Sequence, residues 1–493
     1  MDNNKMSSWL ERRLLVLLFG ISTLLGCTVG PNYQRPEIKV GNKWPTGKTE
    51  KKVSNAAPIN LRWWQSFHDP LLNRYINEAA ANNLDVKVAE ARICQARAVK
   101  QISLANFYPQ INGSASANSL QISKGTLEGF FPESPTNNII DRNQWIYNLG
   151  FDAQWEIDIF GKTRRQVEAS KANLEEAYET RRTVLLSTIA EIARSYVELR
   201  GAQQLYNIAQ KNVQLQRKTL DLVRQRYKAG VSSEVDVSLA EGQLKNTESV
   251  LPNYIAQMTV NAYQIAVMLG REPQAILNDI SKVQPLPKVP KKVPMGLRSN
   301  ILRQRPDIRA TERQLAASVA EIGVAVADFF PQFNLSVTNF AFQSTSLDTL
   351  FRSSSGFWIM GPQVSLPIFH GSQIRANVES KKAVAQQAMI QYKKVVLQAL
   401  QEAQSALVRY SQSLTTNQSL RQAVLVNGRA VQLAKKRFQH GEDDYLSLLQ
   451  SEGALLNAEI QEVNSKVSSL INLISLYKAL GGGWENFEVT LKS

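Results

Sequence analysis

Alternation of apolar and polar residues is the clearest local signal in this chain. Trp145, Tyr147, Leu149, Phe151, Ala153, Trp155 and Ile157 alternate with Asn148, Gly150, Asp152, Gln154 and Glu156. A period of two over this length predicts a strand with one apolar and one polar face. Phe333, Leu335 and Val337 alternate with Asn334, Ser336 and Thr338, and Trp358, Met360, Val364, Leu366 and Ile368 alternate similarly. Residues 110–122 alternate poorly and give a weaker strand signal. Four strands are therefore expected, near 110–122, 145–158, 332–343 and 357–368. Strands of about ten residues with aromatics near both ends fit a transmembrane β-barrel; taken singly, each also fits a soluble sandwich.

Elsewhere the period is helical. Leu185, Ile189, Ile192, Tyr196 and Leu199 step by four and three, as do Leu400, Ala403, Leu407, Tyr410 and Leu414. Both runs read as coiled-coil seams, which a soluble helical bundle would also use. The chain also repeats itself. Phe107-Tyr108-Pro109-Gln110 recurs as Phe329-Phe330-Pro331-Gln332, and Ile159-Phe160-Gly161 as Ile368-Phe369-His370-Gly371. Arg226-Tyr227-Lys228-Ala229-Gly230 recurs as Arg437-Phe438-Gln439-His440-Gly441, and Leu269-Gly270 as Leu480-Gly481. Matches in the same order at nearly the same spacing mark a duplicated domain of about 210–220 residues, far longer than a solenoid repeat. Each half reads helix, strand, strand, long helix, turn, helix.

Helix lengths then add up to rods. Gly161 to Gly230 would make roughly 105 Å of helix, whereas Ser232 to Gly270 makes about 58 Å and Ser299 to Asp328 about 45 Å. The two short helices stacked end to end would match the long one. In the second half, Gly371 to His440 gives roughly 105 Å, and Glu442 to Leu480 plus Leu72 to Ala105 about 110 Å. Four rods of equal length are expected, two continuous and two broken. The breaks fall at the proline-rich stretch 271–298 and near the termini. Four strands cannot close a barrel, and an open edge in lipid leaves backbone groups unsatisfied, so several copies must combine.

The N-terminus adds an address. Lys5, Arg12 and Arg13 precede an apolar run from Leu14 to Leu25, too short for a membrane span and of signal-peptide form. It ends in Leu24-Leu25-Gly26-Cys27, which resembles a bacterial lipobox; Leu25 is larger than the residue usual there. Cys27 is thus the candidate acylation site, and Thr28 follows instead of an aspartate retention signal. Cys94, the other cysteine, sits in a helical pattern and reads as a small buried hydrophobe. The 493 residues carry a net charge of +15, but the basic residues are spread along the chain with no block or finger motif, which argues against nucleic-acid binding. His68, His370 and His440 lie far apart, outside any metal-binding spacing, and no nucleophile elbow or P-loop is present, so no enzyme is expected.

Cys27, Gly30-Pro31-Asn32-Tyr33, Trp63-Trp64, Trp155-Glu156-Ile157-Asp158-Ile159-Phe160-Gly161 and Arg305-Pro306-Asp307-Ile308 together resemble the TolC-like outer-membrane efflux factors, specifically the lipoprotein branch typified by OprM that serves resistance-nodulation-division pumps. The likeness runs from Cys27 to about Gly483. It implies an α+β homotrimer: a twelve-stranded β-barrel, four strands per protomer, continued by a long periplasmic α-helical barrel with a mixed equatorial region. It implies a periplasmic adaptor and an inner-membrane pump as partners, contact with outer-membrane lipid, and no cofactor beyond the lipid on Cys27. The chain then divides into a signal peptide (1–26), a lipidated segment with equatorial residues (27–71), a first repeat (72–270), an equatorial linker (271–298), a second repeat (299–480) and a C-terminal equatorial segment (481–493). The turns Gly230-Val231-Ser232-Ser233 and Gly441-Glu442 would dock the adaptor. Candidate gate residues are Asp236, Glu442, Asp443, Asp444, Ser447 and Gln450. Family members commonly close this tip with aspartates in the helix after the second turn; here those positions hold Ser447 and Gln450. The acidic ring is expected to have moved to Glu442, Asp443 and Asp444, which also fit a plain solvated cap. The expected function is the exit duct of a tripartite efflux pump. A lipid-anchored structural coiled coil and a protein-secretion channel are the alternatives, and the cargo is not encoded in any motif.

Overall fold

The structure, a computed structural model, describes residues 28–38, 41, 53–54, 60–121, 123, 143–288, 293–294 and 298–488. The expected signal peptide and the candidate acylation site Cys27 lie outside the described residues. The chain divides into two compact units that cut across the repeats. One contains 1–35, 94–175 and 313–390; the other contains 36–93, 176–312 and 391–493.

The first unit is built on an antiparallel sheet of four strands in the order β2 (Gln110–Gln121), β3 (Asn143–Ile157), β5 (Gln332–Ser344) and β6 (Gly356–Ser365). Alternation holds best on β3 and β5. Phe151 lies opposite Phe340 and Trp155 opposite Leu335, while Gln154 lies opposite Gln110 and Ser336 on the other face. The apolar face is solvent-exposed in the single chain, with Phe151 at 61% and Met360 also at 61%. One extra residue in β5 explains a change of parity in the sequence. Apolar residues sit at odd positions through Val337 and at even positions from Phe340. The register slips between them, so Val337 opposes Ala153 and Phe340 opposes Phe151. Such a bulge keeps both sets on one face. Strand β6 ends at Ser365, three residues short of the expected Ile368, just before Pro367, which has no amide to donate.

At the end of β3 the Trp155–Gly161 motif turns the chain into α3 (Lys162–Lys228). The Asp158 carboxylate accepts from the backbone amides of Thr163 (3.1 Å) and Arg164 (3.0 Å), satisfying free donors of the helix start. Phe160 stacks on Phe330 at 4.7 Å.

The second unit holds the main core. Trp63 stacks on Tyr477 at 5.3 Å and Trp64 on Phe487 at 5.8 Å. The seam residues Leu185, Ile189, Ile192, Tyr196 and Leu199 are fully buried, and Leu400, Ala403, Leu407 and Tyr410 are buried with them. A short parallel pair, β1 (Val53–Ser54) with β4 (Val293–Pro294), also belongs here. The Arg305-Pro306-Asp307 motif ties helix ends together: Arg305 pairs with Asp307 at 2.6 Å and Glu402 at 2.8 Å and donates to the Ala479 carbonyl at 3.1 Å.

The long helices α3 and α9 (Gln373–His440) are continuous as expected, and α10 (Tyr445–Leu480) follows the second turn. The other three expected helices are each interrupted. Residues 72–105 form α1 (Pro70–Asn82) and α2 (Leu84–Ala105), broken where extended Asn83 caps α2 through Asp85 and Val86. Residues 232–270 form α4 (Glu234–Ser249) and α5 (Leu251–Met268), broken at Val250 because Pro252 has no amide for the helical ladder. Beyond a single-turn α6 (Leu277–Ile280), residues 299–328 form α7 (Ile301–Gln304) and α8 (Pro306–Ala327). Arg305 precedes a proline and is therefore extended. Cys94 corrects a further expectation: it is exposed, since Val86, Ala89 and Ile93 form the packed side of α2 and Cys94 lies off it.

Candidate functional site

The second unit brings both helix-hairpin turns together. Each closes in the same way. In the first, the Gly230 amide bonds to the Tyr227 carbonyl (2.9 Å) and the Val231 amide to the Arg226 carbonyl (2.9 Å). In the second, Gly441 bonds to Phe438 (3.1 Å) and Glu442 to Arg437 (3.0 Å). This Schellman closure needs a left-handed residue, and Gly230 and Gly441 have φ of 76° and 75°. Nothing lies within 4 Å of a side chain built at Gly230, so its requirement is conformational, not spatial.

After the turns the chemistry diverges. Ser233 caps α4 in a full capping box with Asp236: its hydroxyl accepts from the Asp236 amide and the Asp236 carboxylate accepts from the Ser233 amide (2.9 Å). Ser232 also donates to Asp236, at 2.8 Å. Burial alone would raise the Asp236 carboxyl, but these bonds outweigh it and hold it below the ordinary aspartate value. Asp444 caps α10 by accepting from the Ser447 amide at 3.0 Å. Asp443 and Glu442 both lie near Arg437, at 3.7 and 4.0 Å. Gln450 is exposed on α10, one turn beyond Ser447. The expected gate residues thus share one neighbourhood, but Asp236, Asp444 and Ser447 each have local capping partners.

Side chains not singled out in the sequence join the two turns. Arg226 reaches across from the end of α3, donates to the Phe438 carbonyl at 2.7 Å and lies 4.6 Å over the Phe438 ring. Phe438 packs on Tyr445, and both are buried with Val213, Leu220, Val223 and Leu448. Beneath them Glu452 is buried, accepting a long 3.4 Å bond from Thr219. Burial raises its carboxyl above the ordinary value, opposed by the charge of Lys435 and the Thr219 bond. Outside this cluster, Val231 and Val235 are 63% and 65% exposed on the first hairpin, with Tyr227 and Leu239 exposed nearby. The available signal was the repeat itself, which aligns Arg226-Tyr227 with Arg437-Phe438.

One unit thus carries an exposed apolar sheet and the other the paired helical hairpins. The chain belongs to the outer membrane efflux protein family, which it matches over residues 75–271 and 297–482. It is 29% identical to the probable efflux pump outer membrane protein TtgC of Pseudomonas putida over 478 residues, 96% of each chain. It is 30% identical to the cation efflux system protein CusC of Escherichia coli over 468 residues, 94% of this chain and 97% of that one. The solved outer-membrane channel OprN superimposes with a TM-score of 0.84 at 33% identity, covering 93% of this chain and all of that one. The fold class is therefore that of the trimeric channels built from a β-barrel and a long helical barrel. The chain is an outer-membrane protein and the outer-membrane component of a tripartite efflux system. Members of the family are channels.

Proposed function

We propose that three copies of this chain close their sheets into one twelve-stranded barrel that passes small molecules from the periplasm to the exterior, with no catalysis of its own. One observation carries this reading. Among the described residues the sheet is open, with β2 and β6 as edges, and its apolar face has no cover. An unpaired edge in lipid costs several kcal/mol per backbone group, so the edges must be met by further copies. A periplasmic adaptor docks at Gly230–Ser233 and Gly441–Glu442, where exposed valines flank the first turn. An inner-membrane pump supplies the energy, and those partners set the cargo. Acylation of Cys27 completes the anchor; no other cofactor is required.

The two faces of β3 test it. Phe151→Arg places a cation on the lipid side, at a cost of about 2–4 kcal/mol near mid-bilayer, and should deplete the heat-modifiable trimer in outer membranes. Asp152→Arg lies on the polar face and should leave the trimer in place. Equal tolerance at both positions would remove the barrel reading.

A further inference from the structure

The Gly30-Pro31-Asn32-Tyr33 motif has no part in the channel or its tip, yet the first unit contains a fitted seat for it. Residues 28–33 lie along α3 and α8. The Val29 amide donates to the Phe160 carbonyl at 3.1 Å, at the turn that follows β3. Gly161, with φ of 82°, packs so closely on Thr28 that a side chain there would meet it at 2.7 Å. Arg165 of α3 is 3% exposed and spends its guanidinium on this segment. It donates to the carbonyls of Val29 (3.1 Å) and Gly30 (3.2 Å) and to Asn32 Oδ1 (2.7 Å), with Glu168 balancing its charge at 2.7 Å. Gly30 has φ of 88°, and a side chain there would sit 2.5 Å from the Gly323 backbone. Tyr33 packs against Ala172, Ala316 and Ala317 under the Arg313 guanidinium. Gly30, Asn32 and Tyr33 of the motif each have a matched partner, while Pro31 is exposed.

A buried guanidinium whose remaining N–H groups are satisfied by the oxygens of one short segment is a clamp, because removing the segment leaves buried donors without acceptors. The geometry points to Gly30-Pro31-Asn32-Tyr33 as a docking strap and to Arg165 as the positioning residue that holds the lipid-bearing end of the chain beside the end of β3. This rests on the reading that Cys27 is acylated. Thr28 is bonded to Cys27, so one peptide separates the clamp from the lipid attachment. The acyl chains then enter the membrane at a fixed place on the barrel's rim and not from a slack tether.

The test is hydrogen exchange by mass spectrometry on the full-length trimer purified from membranes, with palmitate labelling run alongside. The wild type should be labelled and its 28–38 fragments protected. Asn32→Ala and Gly30→Ala should each speed exchange there by roughly tenfold or more, with fragments of α3 and α8 unchanged. Asn32→Asp keeps an acceptor for Arg165 and should keep the protection. Cys27→Ser should lose the label and keep the protection, since the seat is built of protein alone. Equal strap exchange in wild type and variants would overturn the strap while leaving acylation standing. Exchange rising through α3 and α8 as well would reduce Arg165 to a general structural role and overturn the positioning claim. A protected strap without palmitate in the wild type would remove the acylation reading and, with it, the lipid clause of this proposal.

Discussion

The two hairpin turns descend from one repeat and share one backbone, yet their side chains do opposite things. Arg226 and Arg437 occupy equivalent positions in Arg226-Tyr227-Lys228-Ala229-Gly230 and Arg437-Phe438-Gln439-His440-Gly441. Arg226 turns inward to the Phe438 carbonyl and ring; Arg437 stays exposed and reaches the acids of its own turn. Tyr227 is 45% exposed, whereas its counterpart Phe438 is buried. The first turn continues into serines and exposed valines, the second into three consecutive acids. Duplication preserved what the backbone demands, a left-handed glycine and a cap. It left free what decides packing and charge, so one turn became the lock and the other the charged rim.

The largest break in this comparison is expected from removing the two arginines separately. Arg226→Ala deletes a charge-assisted bond and a ring contact in a half-buried setting, together worth about 2–3 kcal/mol. Exchange of amides in 213–244 and 434–449 should accelerate accordingly, and leak through the resting channel in planar bilayers should rise. Arg437→Ala deletes only exposed ion pairs, worth about 1 kcal/mol or less. A larger effect from Arg437→Ala would reverse the roles of the two turns.

How much of this was legible beforehand differs by level. The strands were readable because alternation is local, and the seams because heptad spacing is local. The turn glycines were readable because the repeat displays them twice. The parity change from Val337 to Phe340 was visible in the residues, but only strand pairing shows it to be a bulge. The breaks before α5 and α8 had prolines to announce them, Pro252 and Pro306; the break at Asn83 had only an asparagine that caps through its own side chain. Exposure of Cys94 depends on which face of α2 meets a neighbour, which one helix cannot reveal. The Arg226–Phe438 lock joins residues more than two hundred positions apart, and no local pattern carries such a contact. The capping duties of Asp236 and Asp444 were within reach, since serine or aspartate three residues ahead of a donor is a helix-start signature.

A smaller effect should come from beneath the lock. Burial raises the Glu452 carboxyl, so the packed state favours the protonated form. For a carboxyl with a raised folded-state value, its contribution is fully present below the ordinary glutamate value of the unfolded chain and is lost as pH rises through the folded value. Protection factors across 213–244 and 434–449 should therefore fall as pH rises from acid toward neutral. Glu452→Gln keeps the shape without the titration and should flatten that profile. A profile that keeps its slope in the variant would assign the dependence to another group.

The smallest change in stability, and the sharpest test of how the second turn differs from the first, concerns its charge. Three protomers would gather nine carboxylates from Glu442, Asp443 and Asp444 at one mouth, where clustered charge draws in cations and excludes anions. Asp444 must keep its cap, so Asp444→Asn, which retains an acceptor, is the suitable neutralisation; Asp443→Asn removes charge facing Arg437. Neither should cost more than about 1 kcal/mol, because both groups lie at the surface or half-exposed. Single-channel recordings should nonetheless show lower cation selectivity and higher conductance for the double variant. Ser447→Ala and Gln450→Ala should change little, since the Ser447 backbone amide, not its hydroxyl, serves the cap, and Gln450 is exposed. If those two variants dominate selectivity instead, the constriction lies deeper along α10, and the acids of the second turn are a solvated cap like the serines of the first.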